Sequence, residues 1–102
     1  MNKKQKIEEW IKQSEYDFKT AQAMFSTGRY VYIVFMCYLA LEKILKALYF
    51  KTLNVNPPKT HDLLFLISKI DRKLPDEKMN FLKILNNASI PTRYPEDLAK
   101  VL

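Results

Sequence analysis

Glycine occurs once in this sequence, at position 28, and with five prolines it leaves little raw material for the tight turns that β-hairpins need. The chain is therefore expected to be all-helical. Cysteine also occurs once. Cys37 has no partner for an internal disulfide and lies within an apolar run, where a thiol behaves as a small hydrophobe, so a reducing, cytoplasmic setting is expected. There is one histidine, His61, and three or four Cys, His or carboxylate ligands at ordered spacing are lacking, so no metal site is expected. A Gly-rich phosphate loop, a nucleophile elbow and a hydrolase-type carboxylate pair are also missing, and no cofactor is implied. The N-terminal MNKKQKIEEW has lysines without a following apolar stretch, unlike a secretory signal.

What the chain does have is a long apolar run. Twelve apolar residues, Tyr30 to Leu41, lead into Glu42 and Lys43, after which apolar residues resume at helical spacing as far as Phe50. A segment apolar around its whole circumference must be covered on nearly every side, which places it at the centre of a bundle. The charges at Glu42, Lys43 and Lys46 argue against a membrane span, which needs about 20 apolar residues with few or no charges.

The rest reads as one domain, residues 1–102. Ile7, Ile11, Ser14, Phe18, Ala21 and Phe25 recur at alternating steps of four and three, predicting a helix near 3–27 that stops at Gly28. A second helix near 29–53 returns antiparallel to it. Asn54 to Pro58 is a loop. Thr60 offers an N-cap for a helix near 60–71, Pro75 a first helical position for one near 75–87, Asn87 to Thr92 is a loop, and a short helix begins at 95. The expected architecture is an up-and-down helical bundle of four main helices plus a short C-terminal one. Its expected core is Phe18, Ala21, Phe25, Phe35, Leu39, Leu41, Leu45, Leu48, Leu64, Ile67, Leu82 and Leu85.

Net charge is +6, distributed as +1 over residues 1–28, +4 over 29–59 and +1 over 60–102. A positive middle can attract phosphate-bearing partners, although without a long basic run or aromatic interleaving it reads first as lysine-rich solvated surface. Glu42 and Lys46 are an i,i+4 pair that interrupts an apolar helix, so burial is expected, and a buried carboxylate needs a cation or donors. Arg93, with Tyr94-Pro95 fixing its approach, is the expected partner of Glu42. His61, beside Asp62 at a helix start, reads as a local hydrogen-bonding residue or as a contact to a phosphate or base.

Four motifs in order, Glu15-x-Asp17-Phe18-x-x-Ala21, Ala40-x-Glu42-Lys43-x-x-Lys46-Ala47, Thr60-His61-Asp62-Leu63 and Thr92-Arg93-Tyr94-Pro95, resemble the HEPN (higher eukaryotes and prokaryotes nucleotide-binding) family across almost the whole chain. The resemblance implies a helical bundle with a longer last helix than this sequence has, pointing to a truncated form or to closure by a partner. Many HEPN proteins are metal-independent ribonucleases using an arginine followed after four to six residues by a histidine, acting across a dimer. Here Asn54 through Pro57 occupy the matching positions before His61, and none of Arg29, Arg72 and Arg93 has a histidine downstream at that spacing. A non-catalytic binding module is therefore expected, with Glu42, Lys43, Lys46, His61, Arg93 and Tyr94 as candidate ligand contacts. The resemblance implies a nucleotide or RNA ligand and pairing with a minimal nucleotidyltransferase; an RNA-cleaving toxin of a toxin-antitoxin pair is the alternative. Six tyrosines and six phenylalanines exceed what a small core readily hides, so a homodimer is expected through the flank of the first two helices and the C-terminal segment, with no membrane contact.

Overall fold

A computed structural model describes the backbone of residues 1–101 and their side chains other than those of Thr92, Arg93 and Val101. Its helices are α1 (Lys3–Ser26), α2 (Tyr30–Leu53), α3 (Leu63–Ile70), α4 (Asp76–Ala88) and α5 (Pro95–Val101), with a 3-10 turn at Ile90–Arg93. No strand occurs among the described residues. The all-helical bundle expected from the sequence is the fold observed.

Each boundary has a local cause. Asn2 opens α1 with a capping box: its side chain accepts from the Gln5 amide at 2.8 Å while the Gln5 side chain accepts from the Asn2 amide at 3.0 Å. Gly28, at φ 75°, turns the chain between α1 and α2, a left-handed backbone that costs glycine nothing. Two other residues also take this conformation. Asn54 ends α2 and Asp71 ends α3, both at φ 57°, the short polar side chains best able to tolerate that region.

Helix α2 is the axis of the bundle. On one side, Tyr38 and Leu45 join Leu63, Leu66, Ile67 and Ile70 of α3 and Leu82 and Leu85 of α4 in one apolar cluster. On the other side lies α1, whose substantive packing is with α2.

The face that α1 offers to α2 departs from the expected stripe. The buried residues of α1 are Ser14, Asp17 and Ala21, whereas Phe18 and Phe25 are 52% and 67% exposed, correcting their assignment to the core. Two polar contacts set the rotation of α1. The Ser14 hydroxyl donates to the Ala40 carbonyl at 2.7 Å, and Lys43 meets Asp17 at 2.6 Å. Small buried residues, Ala21 on α1 with Ala40 and Ala47 on α2, allow the close approach that these contacts need. Phe35, Leu39, Leu41, Leu48 and Leu64 are only partly buried. Tyr38, Leu63, Leu66 and Ile70 are core residues that the expected core did not include.

Two boundaries also shift. Helix α3 begins at Leu63 with Asp62 as N-cap, three residues later than Thr60 suggested. The Asp62 carboxylate accepts from the amides of Leu64 and Phe65 at 3.0 and 3.3 Å, and Thr60 instead accepts from the Asp62 amide at 3.2 Å. Residues 90–93 form a 3-10 turn where a plain loop was expected, and Pro75 caps α4 from just outside it.

The long axis shows in the dimensions. The radius of gyration is 14.4 Å, against about 13 Å for a compact domain of this length. Because Leu45 is buried at the junction of α2 with α3 and α4, Leu45→Ala should destabilise the fold by about 2 to 5 kcal/mol in urea unfolding. A loss below about half a kcal/mol would place the core elsewhere.

Candidate functional site

The chemistry gathers on α2, where a carboxylate has been drawn into the apolar helix. Glu42 is 5% exposed. Tyr38 and Lys46 lie one turn before and after it on the same helix face, and the start of α3 brings His61 against it. His61 Nδ1 lies 2.7 Å from Glu42 Oε1, the Tyr38 hydroxyl donates to the same oxygen at 3.3 Å, and Lys46 Nζ lies 3.7 Å from Oε2. Both carboxylate oxygens are served, as burial of a charge requires.

This geometry assigns the imidazole tautomer. An ionised carboxylate is acceptor-only, so Nδ1 carries the hydrogen and donates, leaving Nε2 as the acceptor in the neutral ring. The His61 side chain is 67% exposed, so its outer edge faces solvent while its inner edge is held. Such a dyad can accept a proton at Nε2, or hold an anion when the ring is charged.

The neighbouring cations are already committed. Lys46 faces Glu42, and Lys43 pairs with Asp17 on the α1 side of the helix. Below His61, Asp62 ties α3 to α4: Asn86 donates to the Asp62 carboxylate at 3.2 Å and accepts from the Leu63 amide at 3.1 Å. Through the His61–Asp62 backbone, two polar groups thus link α2, the α3 N-terminus and α4.

Of the candidate residues, the structure brings together Glu42, Lys46 and His61. Lys43 joins a separate pair, and Tyr94 is exposed just before α5, apart from the Glu42 group. The expected Glu42–Arg93 contact falls on a side chain outside the described residues. Tyr38, Asp17 and Asn86 were missed as site residues. The i,i+4 spacing of Tyr38, Glu42 and Lys46 was a readable signal for the first; no local pattern marked the other two. Among the described residues no cluster of three or more His, Cys, Asp or Glu could hold a metal ion, and no helix is long and apolar enough to cross a membrane.

A charge-assisted bond is lost when Glu42 becomes neutral. Glu42→Gln should cost about 1 to 2 kcal/mol of stability, and His61→Ala less, because the imidazole is mostly exposed. The two should be sub-additive in a double-mutant cycle, since they share one bond. Full additivity would show that the 2.7 Å contact carries no energy.

Residues 7–100 match the family model described as HEPN domain. Comparison with curated proteins and with solved structures returns no match. With a family match over nearly its whole length, on an all-helical bundle carrying the motif residues at Glu42 and His61, the chain belongs to the HEPN domain family.

Proposed function

We propose that this domain is a non-catalytic HEPN binding module, which pairs with a minimal nucleotidyltransferase and takes a nucleotide-related ligand. One observation carries the reading: the only histidine of the chain is tied at 2.7 Å to a buried carboxylate. Cleavage of an RNA backbone needs a base, an acid and positive charge at the scissile phosphate. The Glu42 group offers a single outward imidazole nitrogen backed by a negative charge. Its lysines are occupied by Glu42 and Asp17, so they favour holding helices together over stabilising a transition state. The same outward edge of His61 suits contact with a base or phosphate.

Self-association belongs to the same reading. Phe25, Tyr30 and Tyr32 stand exposed at the turn of the α1/α2 hairpin, with the Phe25 and Tyr30 rings edge to face at 6.0 Å. Aromatic anchors of this kind are the residues that interfaces favour, and they add to the flank of α1 and α2 which, with the C-terminal segment, is the surface proposed for a homodimer.

The RNA-cleaving toxin remains the rival, and one experiment separates the two. Purified protein incubated without metal with structured and single-stranded RNA should leave both intact. When co-expressed with a minimal nucleotidyltransferase it should co-elute as a complex. Cleavage that disappears in His61→Ala would overturn the reading, as would separate elution of the two proteins.

A further inference from the structure

A neutral imidazole attacks an electrophile through the lone pair of its unprotonated nitrogen, and in this fold that pair faces outward. Nδ1 donates its hydrogen to Glu42 Oε1 at 2.7 Å, which leaves Nε2 as the reactive atom of a mostly exposed ring. A histidine without such a partner exchanges tautomers and divides its reactivity between both nitrogens. Here only Nε2 is nucleophilic.

Glu42 also strengthens that nucleophile. When Nε2 bonds to an electrophile the ring becomes positively charged, and a fixed negative charge against Nδ1–H favours the transition state over the ground state. Glu42 is buried, so water screens it little. It is also held in place: the Tyr38 hydroxyl donates to Oε1 at 3.3 Å and Lys46 Nζ lies 3.7 Å from Oε2. The pair has the form of an activated nucleophile, a reactive atom backed by the group that orients it. The other nearby carboxylate, Asp62, accepts from the amides of Leu64 and Phe65 and from Asn86, so its charge is engaged by α3 and α4.

Two features select the electrophile. Tyr38 and Lys46 are turned to Glu42, so neither serves as an acid for a leaving group, and the leaving group has to depart without a proton from the protein. The charge of +4 over residues 29–59 favours approach of an anionic donor over a neutral one. We propose that His61 is a phosphoryl acceptor, taking one phosphoryl group on Nε2 from a small activated donor of the phosphoramidate or acyl phosphate class. With phosphoramidate, the Nε2–P bond forms as the P–N bond breaks, and the bonding pair leaves with ammonia. Nδ1 keeps its hydrogen, and the new positive charge of the ring rests against Glu42. The modified ring then presents a dianion at the edge proposed to contact a base or phosphate, and so opposes an anionic ligand there. Uptake of one group per chain is compatible with a module that turns nothing over.

The test incubates the full chain with potassium phosphoramidate under conditions that leave the ring neutral, beside a blocked histidine amide as reference. His61 should react at least about tenfold faster than the reference, and at Nε2 alone. Phosphorus on Nε2 is flanked by both ring C–H groups and phosphorus on Nδ1 by only one, so phosphorus–proton correlation spectra tell the two products apart. Glu42→Gln keeps an acceptor for Nδ1–H but removes the charge. Its reaction should slow at least about tenfold with the far-ultraviolet circular dichroism unchanged, a loss that a purely structural Glu42 would not produce. Reaction of the parent at the rate of the blocked amide, or at Nδ1, would overturn the proposal without recourse to any variant. So would a folded Glu42→Gln that reacts as fast as the parent. RNA cleavage, or failure to pair with a nucleotidyltransferase, would count against the proposed function and leave these rates and products as they are.

Discussion

A carboxylate buried in the middle of an apolar helix is the constraint on which this structure depends. Glu42 cannot be left alone in an interior that excludes water, and the desolvation it suffers is offset only if donors converge on it. Two of its partners come from α2 itself. The third, His61, comes from the residue just before the N-cap of α3, so satisfying the charge also fixes where α3 begins. Asp62 then caps α3, and Asn86 fastens that cap to α4. The apolar cluster beneath supplies the larger stabilisation, but hydrophobic burial is non-directional, and it is these polar groups that set the register of three helices.

On the opposite side of α2, polar contacts decide the outcome in a different way. By sequence, α1 has an apolar stripe strong enough to expect it against α2. The bond from Ser14 to the Ala40 carbonyl and the Asp17–Lys43 pair rotate the helix so that small and polar residues face inward and part of the stripe faces out. Apolar surface displaced from the core in this way, Phe18 and Phe25 above all, is left on the outside of the hairpin.

This division explains what was legible in the residues. The five helices and most of their limits followed from periodicity, prolines and Gly28, because those signals are local. Burial of Glu42 followed too, since a charge in an apolar run must be dealt with. The pairing with Lys46 followed from their spacing, but the approach of His61 did not: it is 19 residues away and depends on the path of the Asn54–Pro58 loop. The stripe of α1 misled for the same reason. Periodicity reports which residues share a face, while the choice between two adjoining faces was made by Lys43, 26 residues from Asp17. The capping of α3 by Asp62 in place of Thr60 was a contest between two good caps, settled by which of them Asn86 could also reach.

The most direct test of the account is the protonation pattern of the His61 ring, read from long-range nitrogen–proton correlation spectra under conditions that leave the ring neutral. If the buried carboxylate organises the start of α3, the proton sits on Nδ1 and the Nε2 signal is that of an unprotonated nitrogen. A ring protonated on Nε2 would mean that His61 does not donate to Glu42, and the hub described here would not exist.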